Sequence, residues 1–282
     1  MEAQVFFDAK AILGEGPAWD EKTQTLYWVD ILAKRVYAGT EMLVELDEFI
    51  GCLAPRKNGN LILGKRASFV DFDLRTSQQT VLAAVTESAT NRMNDGKCDP
   101  AGRLIAGTMD MNEKDPTGTV YSFDGEDTRV LFRDVTISNG MAWSPDYKTF
   151  YYIDTPTREI QAFDYDLPTG SIANPRVAFK ISEQLGWPDG MTSDTQGNLW
   201  IAMWGGAEVT RWNPNTGTMI GRVSVPALQT SSVVFGGRDR NELYVTSGRV
   251  GMSEDSLNIF PLSGGLFKIV TDVEGMPTFE FS

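Results

Sequence analysis

The chain has 282 residues, 41% of them apolar, with 25 basic against 38 acidic side chains and a formal charge of −13. A surface this acidic repels a phosphate backbone, which argues against nucleic acid as a partner, and no run of about 18 apolar residues exists to span a membrane. Two cysteines and no histidine are present, so Ser–His–Asp and Cys–His catalysis and every imidazole metal ligand are excluded.

The first segment, MEAQVFFDAK, has neither a basic n-region nor an apolar h-region, so no secretory signal is expected there. Cys52 and Cys98 are too few for a disulfide framework and read as small, buried, reduced thiols. Together these predict a cytoplasmic protein. From residue 13 the chain reads LGEGPAW, and a turn followed by a short apolar-aromatic strand then recurs. The copies are WDEKTQTLYWVD from Trp19, PRKNGNLILGK from Pro55, CDPAGRLIAGT from Cys98, WSPDYKTFYYID from Trp143, SDTQGNLWIAM from Ser193 and FGGRDRNELYVT from Phe235. Asp, Gly, Asn and Pro in the turns supply tight hairpin geometry. A second strand follows each copy: RVYAG at Arg35, FVDFD at Phe69, TVYSFD at Thr119, IQAFDYD at Ile160, VTRWNP at Val209 and GLFKIV at Gly265.

The copies lie 36 to 50 residues apart with no long helix between them, room for four short strands each. The spacing predicts an all-β, six-bladed β-propeller of four-stranded antiparallel blades around a central channel, one domain over residues 1–282; a β-sandwich would not explain so long a repeat. QVFFD near Gln4 is expected to complete the blade that ends in TFEF at Thr278. Trp19 and Trp143 hold matching repeat positions and read as packing between blades.

Four residues before each turn stand Glu15, Gly51, Asn94, Asn139, Asp189 and Ser231. Four of these are strong oxygen donors, in the contexts GEGPAW, MNDGKC, SNGMAW and PDGMTS. Equivalent positions of propeller blades lie at one height around the axis, so these side chains can converge at one mouth of the channel. Oxygen donors without sulfur or imidazole describe a hard-cation site. One divalent cation is expected, Ca2+ first, with Mg2+, Mn2+, Zn2+ or Fe2+ as alternatives. Arg92 and Asn94 are two apart, which places them on one face of a strand. Asp95 reads as support for the loop or the ligand shell, and Lys97 as a solvated charge. Trp187 either walls a pocket or packs in the core, and Trp204 with Gly205 and Gly206 reads as a channel rim.

LGEGPAW, NRMNDGKCDPAGRLIAGTMD, SNGMAWSPD and WPDGM resemble the gluconolactonase/regucalcin (senescence marker protein) family, in order and spacing along nearly the whole chain. That resemblance implies a six-bladed propeller that binds one divalent cation in its channel and hydrolyses sugar lactones. It implies Glu15, Asn139 and Asp189 as metal ligands, Asp189 also as the catalytic carboxylate, and Arg92 and Asn94 as substrate contacts. Some animal members place a glutamate shortly after GTM to meet sugar hydroxyls. Here the stretch offers Met111 and Asn112, with Asp110 nearby, and Asn112 stands as the substrate contact, leaving the preferred sugar open. The implied partner is a small sugar lactone. Two other functions fit the same pattern: a calcium-dependent esterase or organophosphate hydrolase, and a calcium-binding regulator without catalysis.

Overall fold

The computed structural model describes residues 1–282. After β1 (Ala3–Phe7), a first antiparallel sheet comprises β2 (Gly14–Asp20), β3 (Thr25–Asp30), β4 (Arg35–Ala38) and β5 (Glu41–Glu45). A second holds β6 (Ile50–Pro55), β7 (Leu61–Lys65), β8 (Ser68–Phe72) and β9 (Gln79–Ala84). A third holds β10 (Asn91–Cys98), β11 (Leu104–Asp110), β12 (Gly118–Phe123) and β13 (Thr128–Val135). A fourth holds β14 (Ser138–Trp143), β15 (Thr149–Asp154), β16 (Glu159–Asp166) and β17 (Ser171–Lys180). The remaining strands are β18 (Trp187–Ser193), β19 (Leu199–Trp204), β20 (Glu208–Asn213), β21 (Thr218–Ser224), β22 (Gln229–Gly236), β23 (Glu242–Gly248) and β24 (Leu266–Val270). With β1 they form one eight-stranded sheet. It resolves into β18–β21 and β22–β24 plus β1, joined by the single pair Trp204–Gln229. The only α-helix is α1 (Glu254–Ile259), and no helix is long and apolar enough to cross a membrane.

The recurring turns fold as their residues dictate. Asp99 Oδ1 accepts from the amides of Ala101 and Arg103, and Asp194 Oδ1 from those of Gln196 and Asn198. Each aspartate thereby closes its hairpin with its own side chain. The first strand of each unit is almost wholly buried, whereas the last, such as β5 or β9, is largely exposed. These first strands touch in sequence, β2 to β6, β10, β14, β18 and β22, and β22 returns to β2. The core lies between neighbouring sheets; one cluster joins Val29 and Val36 of the first sheet to Leu53 and Leu63 of the second. Trp19 stacks on Tyr244 at 5.6 Å, and Trp143 packs with Ile105 and Val120 of the preceding sheet, so both tryptophans join adjacent sheets.

β1 pairs antiparallel with β24 from Ala3–Ile269 onward, which ties the two ends of the chain. The expectation that this unit ends in TFEF is not met. Thr271 and Gly275 still bond to Asn241 and Arg240 of this unit, and the last residues then run across to other sheets. Glu274 O accepts from Thr195 N, Met276 N donates to Ser193 O, and Phe281 N donates to Pro55 O at 2.8 Å. The alternating pattern of TFEF has another cause than a ladder. Phe281 is fully buried, stacked on Phe123 at 5.4 Å and beneath the Arg56 guanidinium at 5.1 Å. This strap floors a small cavity of about 40 Å³ lined in part by Lys97, Trp143, Met276 and Phe279.

Candidate functional site

Each of the six first strands breaks its ladder at the aligned column. The register shifts fall at Glu15/Ala18, Ile50/Cys52, Met93/Gly96, Ser138/Met141, Pro188/Met191 and Thr230/Val233. A bulge inserts a residue and re-aims a side chain. Among the glycines near these donors, Gly140 has a steric reason. A Cβ on Gly140 would stand 2.6 Å from the Asp189 carbonyl, so only glycine lets the two strands approach this closely. It also leaves an amide free for the acid before it: Gly16 N donates to Glu15 Oε2 at 2.9 Å, and Gly96 N to Asp95 Oδ1 at 2.7 Å.

Glu15, Arg92, Asn94, Asn139 and Asp189 all line one cavity of about 590 Å³, and all five are at least 94% buried. The other two column positions do not face it. Ser231 Oγ donates to Gly14 O, and Gly51 admits the Met93 backbone. Arg92 Nη1 donates to Asn94 Oδ1 at 2.6 Å, so the pair shares a face. A chain of hydrogen bonds continues around the wall. Asn94 Nδ2 reaches Ser138 O (2.8 Å) and Asn139 Oδ1 (3.4 Å), Asn139 Nδ2 donates to Thr155 Oγ1 (2.8 Å), and Thr155 Oγ1 donates to Pro188 O (2.9 Å). The last bond ends beside Asp189.

Asn112 does not line the cavity. Its Nδ2 donates to Asp110 Oδ1 at 3.2 Å, while its neighbours Met111 and Glu113 face the space instead. Glu113 and Thr155 were not singled out from the sequence. An acid in the loop after GTM is a signal for the first; no spacing points to the second. Trp187 and Trp204 line the cavity. Lys97 is not a solvated charge: it is partly buried, and its Nζ donates to Met191 O on β18 at 2.6 Å.

The electrostatics are those of acids crowded in a buried site. Burial, then the charge of Asp95, pushes Glu15 up to about 8. Burial, then Glu15 and Asp95, pushes Asp189 well above the carboxylate range. Burial lowers Arg92 to about 10, against the opposing pull of Glu15, Glu113 and Asp189, so its guanidinium keeps its proton at neutral pH. Asp189 Oδ1 is buried with no hydrogen-bond partner. A buried, unpartnered carboxylate oxygen beside a second raised carboxylate is the signature of a missing positive charge. The residues therefore fit a divalent cation. No three acidic or sulfur groups gather at ligating distance, so such an ion would be held by two carboxylates completed by amide oxygen, a hard and weakly charged set.

The chain is similar to known proteins over nearly its whole length. Residues 13–249 match the model of the SMP-30/gluconolactonase/LRE-like region. Regucalcin of Gallus gallus is 40% identical over 284 residues, spanning 96% of this chain and 95% of its own. The solved regucalcin of Agrobacterium tumefaciens, described as a calcium-binding protein, superposes with a TM-score of 0.94 at 28% identity, covering 99% and 96% of the two chains. A luciferin-regenerating enzyme superposes at 0.91 with 30% identity, covering 99% of each. With the oxygen-lined cavity inside the matched region, the chain belongs to the SMP-30/gluconolactonase/LRE-like family.

Proposed function

We propose that this protein is a divalent-cation-dependent hydrolase that opens sugar lactones of the gluconolactone and xylonolactone type to aldonic acids. The observation that carries the reading is Asp189: a raised, buried carboxylate with a free oxygen, beside Glu15, Asn139 and Arg92 in one cavity. Glu15, Asn139 and Asp189 would hold the cation, Ca2+ first, which when bound supplies Lewis acidity at the lactone carbonyl and offsets the repulsion between the acids. Asp189 takes the proton of the attacking water as the new C–O bond forms, and returns it to the ring oxygen as the ring C–O bond breaks. Lactone plus water gives one hydroxy acid, and Asp189 ends as it began. Arg92 donates to the carbonyl or to a ring hydroxyl; Asn94, which accepts from Arg92, holds it in place. Glu113 replaces Asn112 as the acceptor for substrate hydroxyls. The six units then serve as blades of one propeller over residues 1–282, in the cytoplasm, with the reactive groups gathered at one mouth.

Regucalcin relatives and a calcium-binding neighbour support a second reading, a calcium-binding regulator. One experiment separates them. The protein is stripped with chelator, reloaded with Ca2+, Zn2+, Mn2+, Mg2+ or Fe2+, and assayed on gluconolactone, xylonolactone and an aryl ester against spontaneous hydrolysis. Turnover that vanishes on stripping and returns with a cation is expected. Calcium binding with no turnover of any substrate leaves the regulator.

A further inference from the structure

Asp189 sits in a break of its own ladder. The pairing of β18 with β19 passes from Pro188–Met203 to Met191–Ile201, so Asp189 and Gly190 together stand opposite Ala202. A bulge of this kind leaves its extra residue unpaired and re-aims the side chains beside it. The ladder alone therefore does not fix where the carboxylate points. The two carbonyls that flank the bulge are held by side chains from other sheets. Thr155 Oγ1 donates to Pro188 O at 2.9 Å, and Lys97 Nζ donates to Met191 O at 2.6 Å.

Lys97 does its half from a distance. It belongs to β10, the strand that carries Arg92 and Asn94. In the sequence of touching first strands, β14 stands between β10 and β18, so this one side chain ties together two strands that are not neighbours. Lys97 is no part of the large cavity; it lines the small one, with Met141 of β14 and Thr192 of β18. Burial lowers Lys97 to about 8, while the charge of Asp95 pulls the other way, so the amine is an ammonium at neutral pH. A hydrogen bond from a charged donor is roughly twice as strong as a neutral one.

We propose that Lys97 is a positioning residue of the candidate site: its bond to Met191 O braces the bulge on β18 and so sets the aim of the Asp189 carboxylate toward the space that Arg92 and Asn94 border. The proposal rests on the hydrolase reading for its kinetic consequence, but not for the brace. A reacting group displaced by about 1 Å can lose about 10²-fold in rate, so a residue that never touches substrate can govern kcat.

The test compares wild type with Lys97→Met, which keeps an unbranched stem without the donor, and Lys97→Arg, which keeps both donor and charge. Hydrogen–deuterium exchange is followed in the chelated protein, calcium affinity by titration calorimetry, and kcat and KM on gluconolactone at saturating calcium. In Lys97→Met, residues 187–193 should exchange about tenfold faster and calcium should bind about tenfold more weakly, the scale of one buried hydrogen bond from a charged group. Exchange over β14 should not change. The same variant should lose roughly 10- to 100-fold in kcat with KM little moved, and Lys97→Arg should recover most of each loss. A role through charge alone predicts the reverse for the ion, because removing a nearby positive charge tightens calcium binding. Tighter or unchanged calcium binding, unchanged exchange over 187–193, or exchange raised equally throughout the chain overturns the proposal. So does an unaltered kcat in Lys97→Met when wild type turns over. Faster exchange and weaker calcium binding in Lys97→Met, with no lactone opened even by wild type, keep the brace and overturn hydrolysis instead.

Discussion

Asn139 Nδ2 donates to Thr155 Oγ1 at 2.8 Å, which decides how the Asn139 amide is turned: nitrogen toward Thr155, oxygen toward Asn94 and the space it borders. On the proposed reading, Thr155 orients a cation ligand through this bond. Replacing it with valine removes the acceptor at nearly constant volume. Thr155→Val should weaken calcium binding about fivefold, the worth of roughly 1 kcal/mol in one buried hydrogen bond. Titration calorimetry reads this directly, and unchanged affinity would remove Thr155 from the site.

Asp189→Ala should abolish lactone opening while the protein stays folded. General base catalysis contributes roughly 10²–10⁴-fold, and this substitution also deletes a ligand. Circular dichroism and kcat, corrected for spontaneous hydrolysis, check both halves. Full activity would end the assignment.

Arg92→Ala should act chiefly on KM. A charged donor to substrate is worth about 1.5–3 kcal/mol, a rise of roughly 10- to 100-fold. Equal losses in kcat with KM unmoved would show that Arg92 acts on the transition state rather than on binding.

The pH dependence follows from Glu15. Its folded value is raised from 4.5 to about 8 by burial and by Asp95, so between those values the folded chain holds a proton that the unfolded chain has released. Stability from this site is therefore fully present below the unfolded value and is lost as pH rises through the folded one. The chelated protein should lose thermal stability across that window. Saturating calcium should raise Tm most at its upper end, where the ion no longer competes with the proton. A stripped protein that grows more stable across the same window would contradict this.

Phe281 should matter to stability far more than its place next to the C-terminus suggests. It is fully buried against Phe123 and Arg56. Phe281→Ala should cost about 3–5 kcal/mol, as in other buried phenylalanine truncations. Denaturant unfolding measures it, and a loss under 1 kcal/mol would mean that the strap merely rests on the sheets.

Much of this architecture is legible in the sequence, because strands and turns are local. TLYWVD and FYYID announce themselves by residue type, and the aspartates of the turns by their own hydrogen bonds. The oxygen column is legible because every unit repeats one bulge, so alignment alone stacks Glu15, Asn94, Asn139 and Asp189. What escaped has physical causes. After Asp110 the strand ends and the backbone turns left-handed at Glu113, φ 59°, so alternation no longer tells which of Met111, Asn112 and Glu113 faces inward. Thr155 sits in the short 3-10 turn after β15, joined to Asn139 by tertiary contact alone. TFEF has the alternation of a strand, yet isolated bridges to two sheets dictate its path.

The terminal strap acts as a clasp between parts of the molecule that lie far apart in sequence. Met276 bonds to Ser193 and Phe281 to Pro55, so a cut after Val273 should loosen the second sheet and the β18–β21 strands together.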